Sequence, residues 1–315
     1  MALSAAPVLE YEYGGNKILL MDETRNPTFS FKDRASSLVA LKAIQLGVTE
    51  IAAASTGNAG SSMAGIAARL GLKAKIYVPK NIPDAKRIQI QAFGAELIIV
   101  DGDYDYAFDV CLEESKKQKL YNRNTAYNPL TIEGKKSAAF DIFISLHGIL
   151  PDNIFVPAGD GVIIAGIYKG FWELQKLGWI EKPPKLIAAQ AEGSDAIVRF
   201  VNTGKFEYIP ANTIADSISA GAPRNLYLAD EAAKNTNGSA LSVTDEEILS
   251  AQKEIAGNFG VLAEPSSAAA FAVYKKFSDE NPAAAEENNL LLITGSGLKD
   301  IAALERWNKK PGDSE

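Results

Sequence analysis

From Glu50 to Lys119 short apolar runs alternate with longer amphipathic ones: Glu50–Ala54 then Asn58–Leu70, Ala74–Val78 then Asp84–Phe93, Glu96–Val100 then Tyr104–Lys119. Short apolar runs read as strands buried on both faces, and the stretches between them carry the spacing of helices. Strand–helix–strand units place their strands side by side in parallel, with helices over the faces. A second series begins at Asn153–Val156, turns at Gly159-Asp160-Gly161, continues as a helix over Val162–Leu177 and reaches a strand at Lys185–Gln190. Further on, Thr244 caps a helix over Asp245–Phe259, with a helix at Ser266–Phe277 and a strand at Leu290–Ile293. Val8–Tyr13 and Asn16–Met21 flank Gly14-Gly15 as a hairpin. The fold class is therefore α/β with two parallel-sheet modules, the first over about residues 36–145. Tyr121–Leu130 is expected as a polar loop leading into one helix over Thr131–His147. The stretch Gly193–Asn235, interrupted by Pro210 and Pro223, yields only short helical pieces.

Composition removes several classes of function. A net charge of −7 gives no basic surface for a phosphate backbone, so nucleic acid is not an expected partner. One cysteine, Cys111, and one histidine, His147, with no CxxC or HExxH, exclude a zinc ribbon or zinc protease by count, and no metal ligands are nominated. His147 reads as a helix-end or surface residue. Met1–Glu10 lacks the basic and long apolar parts of a signal peptide, and no run approaches the length needed to cross a bilayer. The expected setting is the cytoplasm, with no membrane partner.

Asn26-Pro27 interrupts the chain ahead of Lys32, Thr28 or Ser30 can cap a helix, and an amphipathic run follows to Gly47. Lys32 thus falls in a first helical turn. The positive end of the helix dipole, with Arg34 beside it, is expected to disfavour an ammonium and leave a nucleophilic amine. Taken alone, such a lysine is an ordinary surface residue; four turns at strand ends change the reading. Ser55-Thr56-Gly57-Asn58-Ala59 opens a helix with small residues and free N–H groups, suited to a carboxylate. Pro157-Ala158-Gly159-Asp160-Gly161 has the same form and suits a phosphate monoester, provided the Asp160 side chain turns away. Thr294-Gly295-Ser296-Gly297 offers hydroxyls, and Glu264-Pro265 starts a helix with a carboxylate. Neither GxGxxG nor a Walker lysine is present.

Asn26-Pro27-Thr28-Phe29-Ser30-Phe31-Lys32-Asp33-Arg34, Ala54-Ser55-Thr56-Gly57-Asn58-Ala59, Thr244-Asp245-Glu246-Glu247-Ile248, Ala263-Glu264-Pro265-Ser266-Ser267-Ala268 and Thr294–Asp300 together resemble the threonine synthases, within the tryptophan synthase β-like (fold type II) pyridoxal-phosphate enzymes. The resemblance implies that Lys32 is the catalytic residue and carries pyridoxal 5'-phosphate as a Schiff base. Asn58 would bond the ring hydroxyl, Gly159, Asp160, Gly161, Val162 and Ile163 would cradle the phosphate, and Thr294 would face the pyridine nitrogen with Glu264 nearby. Ser55, Thr56 and Ala59 would take the substrate carboxylate, with Lys136 as a further substrate contact. It also implies a homodimer, a larger cofactor domain over 1–35 and 146–315, and a smaller, mobile substrate-carboxylate domain over 36–145.

Four departures stand out, the first being Ser296 where the family's Thr-Gly-His-Gly turn has histidine. Where the family carries a phosphate-binding arginine this chain has Thr131, and Lys135, Lys136, Arg123 and Arg224 are the cations that could replace it. The usual glycine ahead of Ser-Phe-Lys is Phe29, expected to narrow the pocket. The chain begins about 30 residues before the lysine, without the family's N-terminal Gly-x-Thr-Pro-Leu strand, which reads as a truncation or a short relative. Two reactions follow for a small amino-acid substrate: elimination of phosphate from O-phosphohomoserine with water addition to give threonine, or β-elimination or β-replacement on serine, threonine or a related amino acid, as in an ammonia-lyase or a cysteate synthase. A non-catalytic ligand sensor is the third reading.

Overall fold

Gly14 and Gly15, at φ 60° and 82°, turn β1 (Val8–Tyr13) back on β2 (Asn16–Asp22), the one antiparallel pair between named strands in the computed structural model, which describes residues 6–55, 57–80, 82, 84–102 and 104–308. After α1 (Lys32–Gln45) the alternation read from the sequence appears as β3 (Glu50–Ala54), α2 (Asn58–Leu70), β4 (Lys73–Pro79), α3 (Asp84–Ala92), β5 (Glu96–Val100) and α4 (Tyr104–Gln118). The two-residue strand β6 (Tyr121–Asn122) completes a four-stranded parallel sheet of order β5-β4-β3-β6. Ile51 and Ala53 face one apolar cluster and Ala52 and Ala54 the other, so helices on both faces account for the unbroken apolar run of β3.

The chain then passes through α5 (Leu130–Lys135) and α6 (Ser137–Ser145) into β7 (Asn153–Pro157), α7 (Val162–Lys176), β8 (Lys185–Ala191), α8 (Ala196–Thr203), α9 (Leu226–Asn235), β9 (Ser239–Val243), α10 (Asp245–Phe259), α11 (Pro265–Glu280), α12 (Pro282–Ala285), β10 (Asn289–Ile293) and α13 (Ile301–Glu305). The larger sheet has the order β1-β2-β10-β7-β8-β9, parallel from β2 onward. β10, next to last in the chain, lies between β2 and β7, and its leucines alternate between two cores: Leu291 and Ile293 on one side, Leu290 and Leu292 on the other. The α/β class with two parallel-sheet modules is thus the observed architecture.

Several local expectations are corrected. The single helix expected over Thr131–His147 is two, meeting at Lys136, where the Ser137 hydroxyl donates to the Gly134 carbonyl (2.8 Å). The Asn-rich loop starts with β6, and its side chains then stand in for a strand: Asn124 Oδ1 accepts the Ala54 N–H at 2.7 Å, and Asn128 Nδ2 donates to the Asn122 carbonyl at 2.9 Å. Strand β9 was hidden by two serines and a half-exposed pattern. The Thr244 cap is present with Glu247 completing a capping box.

Candidate functional site

Lys32 is the first residue of α1, but neither Thr28 nor Ser30 caps that helix: the N-cap is Phe31, with no side-chain cap, while Thr28 donates its N–H (2.7 Å) and hydroxyl to Asp33. The segment is held instead by the end of β10. Phe31 N–H donates to the Thr294 carbonyl (2.8 Å), Ser296 N–H to the Phe29 carbonyl (3.1 Å), and Ser30 bridges Gly295. Phe29 sits at φ 63°, the left-handed region that a glycine would occupy freely, and half of its surface is exposed. It is not among the residues lining the cavity described below, so it does not narrow the pocket as expected.

Lys32 lines a cavity of about 350 Å³ beyond the carboxyl ends of β3 and β7, where ligands bind in open parallel sheets. Burial pushes its amine down to about 8; Glu264 and Asp160 work against that fall and Arg123 adds to it. The cation that matters is thus Arg123 and not its neighbour in sequence. Arg34 turns away, with Nη2 on Glu23 at 2.7 Å and Nη1 on Asp141 at 2.6 Å.

The start of α2 supplies Ser55, Asn58 and Ala59 to the wall, and the start of α7 supplies Gly159, Asp160, Gly161, Val162 and Ile163. Gly161, the N-cap of α7 at φ 80°, makes no side-chain cap bond, which leaves the first N–H groups of that helix open. A Cβ at Gly159 would lie 2.8 Å from the Ile218 backbone, and one at Gly161 2.8 Å from the Asn225 carbonyl, so only glycine lets the irregular chain 216–225 close over this turn. Asp160 Oδ1 accepts the Arg224 N–H (3.3 Å), the diversion of its carboxylate that an anion at this turn requires. Asn58 donates from Nδ2 to both Glu264 oxygens, at 2.9 and 2.8 Å, and its own Oδ1 is buried without a partner.

Glu264 and Thr294, both buried, do not line the cavity. Glu264 lies behind Asn58, and Thr294 Oγ1 shares a 3.0 Å hydrogen bond with Ser267. Thr56 lies outside the described residues. Lys136 is a correction: its Nζ pairs with Glu133 (2.6 Å) and Glu173 (2.9 Å), and it takes no part in the cavity wall. The wall holds instead its neighbour Lys135, with Tyr104, Thr125, Thr213 and Asp216–Ser219. Asp216 pairs with Lys86 of α3, a link between the two modules. No sequence pattern marks the irregular stretch that carries Asp216–Ser219.

The sequence profile described as "Pyridoxal-phosphate dependent enzyme" matches residues 2–295. The chain belongs to that family. Among curated relatives, threonine synthase of Methanocaldococcus jannaschii is 37% identical over 307 residues, 96% of this chain and 76% of that protein. Threonine synthase of a Bacillus species is 38% identical over 279 residues, 88% of this chain and 77% of that one. In fold the chain is similar to maize serine racemase (TM-score 0.80, 23% identity, 96% and 91% of the two chains) and to a fungal L-serine ammonia-lyase from Rhizomucor miehei (TM-score 0.81, 23% identity, 97% and 98%).

The residues present fit the cofactor of this family. Pyridoxal phosphate brings an aldehyde, a phosphate dianion and a ring hydroxyl. The cavity faces these with an amine held near 8, an uncapped helix start behind two glycines, and a buried amide oxygen without a donor. Among the described residues no helix is long and apolar enough to cross a membrane, and no group of three His, Cys, Asp or Glu side chains could hold a metal ion.

Proposed function

We propose that this pyridoxal-phosphate-dependent enzyme is a lyase of the threonine synthase kind, releasing phosphate from O-phosphohomoserine and adding water to give threonine. The observation that carries the reading is Lys32, an amine near 8 in a cavity walled by the starts of α2 and α7. The identity to curated threonine synthases over most of the chain supports it.

In this reading Lys32 Nζ would hold the cofactor by its aldehyde, and Gly159, Asp160, Gly161, Val162 and Ile163 would hold its phosphate through the N–H groups that begin α7. Asn58 would accept the ring hydroxyl at Oδ1, its amide fixed by Glu264, while Thr294, whose hydroxyl bonds Ser267 outside the cavity wall, is assigned no contact to the ring. Bound pyridoxal phosphate supplies the aldehyde that takes up an amino group and the ring that withdraws charge from the adjoining carbon. Ser55, Ala59 and Thr56 orient the substrate carboxylate at the start of α2. Lys32 Nζ then moves the proton at the substrate Cα, a task suited to an amine that titrates near working pH. The modules 36–145 and 1–35 with 146–315 act as a mobile substrate domain and a cofactor domain. Polar links join them beside the cavity, Lys86 to Asp216 and Arg224 to Asp105 (2.7 Å), while Ala138, Ala139 and Ile142 of α6 pack in the core of the larger sheet, so the moving part would lie before α6. The reading includes a cytoplasmic homodimer, for which sedimentation of the holoenzyme is the check.

One observation favours a second reaction. Thr131 is buried with its hydroxyl on the Asn128 carbonyl (2.8 Å) and does not line the cavity, so no arginine fork awaits a phosphate from that position. β-Elimination on serine or threonine needs none. Supplying the holoenzyme with O-phospho-L-homoserine, L-serine and L-threonine, and assaying phosphate, threonine, ammonia and 2-oxo acid, decides between them. Phosphate with threonine is the expected outcome; ammonia and 2-oxo acid alone would establish the second.

A further inference from the structure

Lys135 is the last residue of α5, fully buried, and its Nζ has no hydrogen-bond partner. Its stem is fixed: a Cβ at Gly166 of α7 would lie 2.8 Å from Lys135 Cβ, so α5 and α7 meet closely there, and the side chain lines the cavity that holds Lys32. An ammonium carries three donors, and burial here leaves them unmatched. Burial, with Lys32 and Arg123 beside it and only Asp160 against them, pushes this amine well below its ordinary range, so it is a bound anion that would hold it charged. Asp160 is already engaged with the Arg224 N–H, and Arg123 adds an unpartnered donor of its own, Nη2, while its Nη1 donates to the cavity residue Thr125 at 2.6 Å. The starts of α2 and α7 each offer N–H groups to one anion. Lys135 belongs to neither start, and it leaves the cavity with donors for a third.

We propose that Lys135, backed by Thr125 and Arg123, forms an anion subsite for the distal group of the substrate, a phosphate or carboxylate on the amino-acid side chain, and so selects acidic over neutral amino acids. The proposal rests on the amino-acid reading of the site given above and names the group that sets its specificity. An ammonium there acts as a point charge and discriminates through charge, not through a planar two-pronged contact.

The test compares wild-type, Lys135→Met, Lys135→Gln and Lys135→Arg holoenzymes, with cofactor content measured by absorbance in each. O-Phospho-L-homoserine and L-serine are compared as substrates, and O-phospho-L-serine and inorganic phosphate as ligands titrated against the cofactor spectrum. Lys135→Met is expected to keep its cofactor and to raise KM for the phosphorylated relative to the neutral amino acid at least tenfold, with kcat changed less. Binding of O-phospho-L-serine is expected to weaken by a similar factor and to recover in Lys135→Arg. An unchanged ratio overturns the proposal. Loss of cofactor from Lys135→Met, with the ratio unchanged in Lys135→Gln, also overturns it and assigns the lysine to the cofactor phosphate. If wild type turns over no phosphorylated amino acid yet binds O-phospho-L-serine in a Lys135-dependent way, the threonine synthase reading fails and the subsite stands.

Discussion

Asn58 opens α2 in the smaller module and Glu264 caps α11 in the larger, and the amide nitrogen of the first lies 2.9 and 2.8 Å from the two carboxylate oxygens of the second. Both side chains are buried, and burial holds the Glu264 carboxyl above its usual range. Asn58→Asp would set two carboxyl groups against each other. The expected result is a loss of about 3 kcal/mol of stability at neutral pH, read from urea unfolding, with partial recovery as the pH falls and one of the pair takes a proton.

The Lys32 amine is expected to react as a group that titrates near 8. Reductive methylation of the apoprotein with formaldehyde, followed at the Lys32 peptide by mass spectrometry, should rise with pH through a midpoint near 8 and level off, while exposed lysines continue to gain towards their ordinary range. Arg123→Gln removes a cation that lowers this amine and should move the midpoint upward.

Arg34→Met should leave that midpoint in place while destabilising the fold. The substitution removes the guanidinium that faces the buried Glu23 carboxylate, and such a change typically costs about 3–5 kcal/mol. A shift in the Lys32 midpoint without loss of stability would reverse the assignment made from the geometry.

Gly161→Ala is expected to fail at the cofactor. Its φ of 80° and the 2.8 Å approach to the Asn225 carbonyl leave no room for a methyl group, so the turn ahead of α7 must shift. Cofactor affinity, measured by equilibrium dialysis, should fall at least tenfold, with a stability loss of about 1–3 kcal/mol. Gly178→Ala, also at positive φ but in open space, should keep its cofactor.

Much of this was legible in the sequence because it was local. Buried parallel strands announce themselves as apolar runs, and the turns after Ala54 and Pro157 stand where strand gives way to helix. What was not legible depends on packing. Lys135 and Lys136 are adjacent and both meet α7, yet about 100° of helical rotation turns one side chain into the cavity and the other among Glu133, Lys169 and Glu173. Sequence alone gives no reason to prefer either. Arg34 misled for the same reason: two residues from Lys32 along a helix is the far side of it, and the cation that does bear on the amine, Arg123, arrives from beyond β6. Thr28 had the chemistry of a cap but found Asp33 instead.

The strap that positions Lys32 joins residues near opposite ends of the chain, Phe29–Phe31 to Thr294–Ser296. During synthesis the lysine therefore leaves the ribosome long before its clasp exists. The clasp on Lys32 is thus completed only when β10, a strand made late, slots between β2 and β7, and the setting of the lysine depends on that late pairing.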